Sequence, residues 1–176
     1  SVDIGNKLIH FEIALIMIHG SPGEDGILQS YFELLNIPYT GCSPYTSALT
    51  FNKRDCISIL KKFNIPTAKS VYLNKSEFFN EDEVIEKVGL PCFVKANKSG
   101  SSYGVFKVNI KNELSSSIKN AFEYDDEILI ESFLDGKEVS VGVMKYNDVI
   151  KVFGITELIS DNDFFDYDAK YNGQSR

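Results

Sequence analysis

The stretch KANKSGSSYGVFKV (Lys95–Val108) places a lysine five residues before a Gly-Ser-Ser triplet, between two apolar runs that read as strands. Three chemistries fit such a loop. Gly100–Gly104 matches the G-x-S-x-G nucleophile elbow with Ser102 as nucleophile, but that motif needs a helix after it and a histidine later in the chain. Here Val105–Val108 reads as strand, and both histidines, His10 and His19, lie upstream. The second possibility is a phosphate grip. Gly100, Ser101 and Ser102 present backbone N–H groups without bulky side chains, and Lys95 at the end of a strand adds a positive charge. Two facing strands joined by such a flap would close over a nucleotide. The third is an ordinary hairpin turn with no chemistry at all.

Other motifs narrow the choice. GxxxxGK[ST] and GxGxxG are absent, which removes the two commonest helix-based phosphate loops, and HExxH is absent too. Asp161, Asp163, Asp166 and Asp168 cluster near the end of the chain, yet the turn glycine and terminal glutamate of a calcium loop are missing and Phe165 occupies a ligand position. His19 follows the apolar run Ile13–Ile18, where open α/β sheets place ligands at the carboxyl ends of strands.

The elements that must position these residues alternate between helix and strand. Ile13–Ile18 reads as a buried strand. Asp25 caps a helix from about Gly26 to Leu35, a second runs from about Ser47 to Phe63, and each ends at Asn-Ile-Pro. Asn tolerates the left-handed conformation of a helix end, and Pro cannot continue the helix. Glu81–Val88 and Asn112–Tyr124 read as further helices. Leu90–Ala96, Val105–Ile110, Ile128–Phe133, Val139–Met144 and Val149–Ile159 read as strands. The final SDNDFFDYDAKYNGQSR is aperiodic and reads as a long loop. A boundary near Thr50 separates an open α/β pattern from an α+β one.

Composition sets the class. The 176 residues are 43% hydrophobic and 24% charged, as in a globular protein, and the formal charge of −7 disfavours broad attraction to nucleic acid or anionic lipid. Any anion site must therefore be local. Cys42, Cys56 and Cys92 are odd in number with no CxxC spacing, which suits reduced thiols in the cytoplasm, and no apolar run approaches the length of a membrane span.

HGSPGEDG (His19–Gly26), NIPYTG (Asn36–Gly41), SALTFNK (Ser47–Lys53), GLPCFVKANKSGSSYGVFKV (Gly89–Val108), EILIESFLDGKEVSVGV (Glu127–Val143) and FFDYDAKY (Phe164–Tyr171) occur in that order. Together they resemble the D-alanine–D-alanine ligase family of the ATP-grasp superfamily. HGSPGEDG and DYDAKY are the more specific blocks. The resemblance implies an α/β chain with an α+β ATP-grasp lobe. Residues 1–50 would end an open α/β substrate domain, 51–138 would form the central nucleotide lobe, and 139–176 would begin the carboxyl-terminal domain.

The resemblance also implies roles. Lys53 and Lys95 would contact nucleotide phosphates. Ser101 and Ser102 would be flap serines, with Ser101 also in a hydrogen-bonded closure of the site. Glu131 and Glu138 would be the adenine-side and ribose-side carboxylates, while Ser132 backbone and the Leu134 side chain would line the purine pocket. His19 and Glu24 would face the first D-alanine. Lys170 and Tyr171 would lie on a loop closing over the site, with Tyr171 reaching Ser101, shielding an acyl phosphate and favouring D-alanine over D-lactate as second substrate. ATP and magnesium are the implied cofactors, and a cytoplasmic homodimer making peptidoglycan precursors is the implied full-length enzyme. Ala96, Ser99 and Tyr103 depart from the family's usual proline, glutamate and small aliphatic residue. The family's first glycine-rich loop and its magnesium ligands would lie before Ser1 and beyond Arg176. The chain then corresponds to an internal portion, expected not to turn over alone. Another ATP-grasp ligase or a non-catalytic nucleotide-binding module are the competing readings.

Overall fold

The computed structural model describes residues 2–5 and 7–159. Two short strands, β1 (Val2–Ile4) and β2 (Lys7–Ile9), form an antiparallel hairpin. The run Ile13–Ile18 follows, and it departs from the buried strand expected. Ala14 makes an isolated parallel bridge to Tyr39, with Ala14 N donating to Pro38 O at 2.8 Å and Thr40 N to Ala14 O at 2.9 Å. Leu15 and Met17 are 71% and 80% exposed, so no layer covers this run among the described residues. An apolar run becomes a buried strand only where something packs on both of its faces.

Three helices come next: α1 (Ile27–Leu34), α2 (Pro44–Phe51) and α3 (Lys53–Lys62). Asp25 Oδ1 accepts from Ile27 N at 3.1 Å, although Gly26, at φ 89°, holds the cap position itself. Asn36 and Asn64 adopt φ of 52° and 56°, the left-handed helix ends that Asn-Ile-Pro implies. The single helix expected from Ser47 to Phe63 is two. Ser43 caps α2 with proline in its first turn, and Asn52 ends α2 and caps α3, its Oδ1 accepting from Asp55 N at 3.1 Å.

The remaining strands are β3 (Ser70–Asn74), β4 (Cys92–Ala96), β5 (Val105–Val108), β6 (Glu127–Ser132), β7 (Glu138–Tyr146) and β8 (Val149–Leu158). β3, β6, β4 and β5 lie side by side in that order, all neighbours antiparallel. Helix α4 (Glu81–Val88) and helix α5 (Leu114–Ala121), the latter entered through a 3-10 turn at Lys111–Glu113, cover one face. Strand alternation sorts the side chains. Cys92, Val94, Val108, Ile128 and Ile130 point into the core with Leu114 and Ala121, all fully buried. Each such aliphatic side chain contributes about 1.5–3 kcal/mol.

The other face carries Tyr72, Phe93, Lys95, Leu129 and Glu131, the alternate residues of the same strands. Helix α3 spans it, from Arg54 over the Tyr72 ring at 5.9 Å to Lys61 Nζ on Ser70 Oγ at 3.4 Å. β7 and β8 form a separate two-stranded ribbon with a register shift between Val141 and Val143.

Candidate functional site

The loop between β4 and β5 carries a tight turn at its tip. Tyr103 N donates to Gly100 O at 3.0 Å, and the two residues between them, Ser101 and Ser102, have φ of 51° and 62°. Positive φ at both central positions is the hairpin geometry normally filled by Asn-Gly. In an L-residue the left-handed conformation costs roughly 1–2 kcal/mol. Two successive serines held this way are a strained feature at the tip of the hairpin. Gly104 closes the turn at φ 66°, its carbonyl accepting from Ala96 N at 3.0 Å.

Lys53 begins α3, and its ammonium reaches the base of this hairpin. Nζ donates to Ser99 O at 2.6 Å and to Asn97 O at 3.2 Å. Burial lowers its pKa to about 8, reinforced by the positive charge of Lys95, while Glu131 and Asp125 pull the other way. Lys53, Lys95, Ser101, Ser102 and Glu138 line one cleft of about 450 Å³, in the range typical of small-molecule sites. The chain is acidic overall, yet this cleft gathers two ammonium groups, that of Lys95 paired with Glu131, together with the carboxylate of Glu138.

Glu131 stands two residues along from the partner of Lys95 on the adjacent strand and forms an ion pair with it. Ser132 ties β6 to the chain before β3, its N donating to Lys69 O at 2.9 Å and its Oγ accepting from Lys69 N at 3.1 Å. Leu134 is exposed in the segment before β7. Neither Ser132 nor Leu134 lines the cleft of the two lysines.

His19 and Glu24 line a second cleft of about 370 Å³, with Ile16 and Thr40 among its walls. Glu24 Oε2 accepts from Gly20 N at 2.6 Å, and a Cβ on Gly100 would stand 3.2 Å from the same oxygen. A smaller cleft of about 270 Å³, lined by His19 and by Ser99, Gly100 and Ser101, connects the two regions. The histidine loop and the hairpin tip are therefore neighbours. Lys170 and Tyr171 lie outside the described residues.

Two polar residues at this site have no place among the sequence expectations. Asn52 is legible in principle, because Asn three residues before Asp55 is a helix-start pattern, but it falls inside what reads as one helix. Asn97 is fully buried and bonded to residues 30 to 45 positions away, which no local pattern reveals.

The family profile described as D-ala D-ala ligase C-terminus matches residues 59–176, and that described as D-ala D-ala ligase N-terminus matches residues 2–42. A D-alanine–D-alanine ligase of Flavobacterium johnsoniae is 56% identical over the whole chain, which covers 54% of that protein. One of Christiangramia forsetii is 53% identical over the whole chain, again covering 54%. Among solved structures, the D-alanine–D-alanine ligase from Coxiella burnetii superposes with a TM-score of 0.79 at 28% identity, over 86% of this chain and 46% of that one. The VanG D-Ala:D-Ser ligase from Enterococcus faecalis gives 0.78 at 35% identity, over 94% and 48%. The chain thus spans about half the length of the curated relatives it matches, and its mixed helix-and-sheet fold is the ATP-grasp fold of these ligases. The chain belongs to the D-ala D-ala ligase family.

Proposed function

We propose that the protein acts in ATP-dependent joining of two D-alanines through an acyl phosphate. The observation that carries this reading is the meeting of Lys53, Lys95 and the strained Gly100–Ser102 turn in one cleft, next to the cleft of His19 and Glu24. Residues 1–50 serve as the end of the substrate domain, 51–138 as the nucleotide lobe and 139–176 as the start of a third domain.

The chemistry explains the parts. A carboxylate is a poor acyl donor, so the terminal phosphoryl group of ATP passes to a carboxylate oxygen of the first D-alanine and ADP leaves. The amine of the second D-alanine attacks the acyl carbon, and the tetrahedral intermediate expels phosphate. Such a transfer needs positioning and charge compensation more than a protein nucleophile. Lys53 and Lys95 supply the compensating charge, and a polyphosphate offsets the burial and, after it, the Lys95 repulsion that lower the Lys53 pKa. Glu131, which pairs with Lys95, is the adenine-side carboxylate of this reading, and Glu138 accepts from ribose hydroxyls. Ser132 and Leu134 border the purine, Ser101 and Ser102 cover the phosphates, and Lys170 and Tyr171 close the site. His19 and Glu24 face the first D-alanine.

Magnesium fits less directly. Among the described residues no group of three or more His, Cys, Asp or Glu side chains is arranged to hold a metal ion, so no step is assigned to a metal bound by them. Among the described residues no helix is long and apolar enough to cross a membrane. A cytoplasmic setting and a homodimeric full-length enzyme belong to the same reading.

The test is ATP binding with and without D-alanine. A ligase site binds ATP, and D-alanine but not L-alanine strengthens the binding. Binding indifferent to D-alanine would favour a nucleotide-binding module instead, and no binding would overturn the reading.

A further inference from the structure

Asn97 follows the last residue of β4 and is fully buried. Its Oδ1 accepts from Arg54 N at 2.9 Å, and its Nδ2 donates to Asn52 Oδ1 at 3.0 Å and to Glu127 Oε2 at 2.8 Å. Its backbone N donates to Glu127 O at 3.0 Å, and its carbonyl accepts from Lys53 N at 3.3 Å and Lys53 Nζ at 3.2 Å. One side chain thus joins the start of α3, the start of β6 and the base of the hairpin. Asn52 Oδ1, which it contacts, is also the cap of α3, accepting from Asp55 N.

We propose that Asn97 is a positioning residue for the nucleotide phosphates: it fastens the amino terminus of α3 to the base of the hairpin and thereby sets where the Lys53 ammonium stands relative to Lys95. This rests on the nucleotide reading of the cleft. Only a side chain with one acceptor and two donors matches the three partners. Alanine leaves Arg54 N without its bond and takes one donor each from Asn52 Oδ1, which keeps Asp55 N, and from Glu127, which keeps Lys98, so the start of α3 is held to the hairpin base by the backbone bond from Lys53 N and loosens. Aspartate keeps the shape but sets a carboxylate against Glu127 Oε2 and removes both donations.

The consequence is readable at Lys53. Its ammonium is faced by Lys95 on β4, by Glu131 on β6 and by Asp125 in the turn before β6, with Glu138 of β7 lining the same cleft. Burial is the largest cause of its lowered pKa, so releasing α3 exposes it and raises that pKa toward the ordinary value. The added charge of aspartate acts in the same direction.

The experiment titrates the Lys53 side chain by carbon-13 NMR in the nucleotide-free protein, with the signal assigned by its absence in Lys53→Met. Asn97→Ala and Asn97→Asp are compared with the wild type, and thermal melting identifies which variants fold. ATP affinity is then measured against pH for each. In the variants the titration midpoint moves up by about one unit or more. ATP affinity at neutral pH falls roughly 10-fold, and its decline at high pH moves up with the midpoint. An unmoved midpoint in proteins that bind ATP overturns the Asn97 assignment alone. A moved midpoint with unchanged affinity also overturns it. A wild type that binds no ATP overturns the nucleotide reading and with it the assignment to phosphates.

Discussion

Lys95 and Glu131 form an ion pair across β4 and β6, with side chains only 23% and 13% exposed. Losing one partner leaves the other in a mostly dry place. For a fully buried pair that costs about 3–5 kcal/mol, and the partial exposure here reduces it to roughly 1–3 kcal/mol. The expected outcome in urea unfolding is a clear loss of stability for Lys95→Met, part of which Lys95→Met with Glu131→Gln recovers. A double variant no more stable than the single one would contradict the pairing as a structural element.

Lys53 gives a pH dependence whose sign is fixed by burial. Its folded pKa is lowered to about 8 from the ordinary 10.5. Below pH 8 both states carry the charge, and the folded state bears the full cost of burying it. Between about pH 8 and 10.5 the unfolded chain binds more protons, so this group's contribution to stability rises with pH. Denaturant midpoints of the wild type and Lys53→Met, compared across that window, should converge as pH rises. A difference that does not change with pH would contradict the burial.

Tyr72 Oη is buried and finds no hydrogen-bond partner among the described residues, and burial pushes its pKa up to about 12. An unpaired buried hydroxyl is a cost, and Tyr72→Phe removes it while keeping the ring under Arg54. The variant should be about 0.5–1 kcal/mol more stable in equilibrium unfolding. Destabilisation would reveal a partner for the hydroxyl.

Gly104 has φ of 66°, and a Cβ there would come within 2.8 Å of Tyr124 Cγ. Backbone strain and overpacking act together, so Gly104→Ala should cost about 2–3 kcal/mol. Thermal melting checks this, and faster amide exchange over residues 97–104 is expected alongside it.

Much of the site is legible in local pattern. Apolar alternation on both sides of a Gly-Ser-Ser loop marks the hairpin, and the same alternation sets Lys95 and Glu131 on one face. Asn-Ile-Pro locates two helix ends correctly, and Glu81–Val88 is the helix expected. What escapes depends on distant partners. SALTFNKRD offers only the helix-start pattern of Asn52 and Asp55 inside an otherwise continuous helical run, and Asn52 divides that run because its side chain caps α3 and receives Asn97 from 45 residues away. IALIMI has the composition of a buried strand, and whether it is buried depends on neighbours it does not encode. The adenine, ribose and D-alanine roles are implied by the resemblance of the quoted blocks alone and belong to the proposed function, since no spacing could supply them.

The most direct test is calorimetric titration of ATP with magnesium into the protein and into Lys95→Ala, with melting curves establishing that both are folded. The expected result is binding by the protein that weakens at least about 10-fold in the variant. Equal binding by both, or none by the folded wild type, would contradict the assignment of this cleft to nucleotide phosphates.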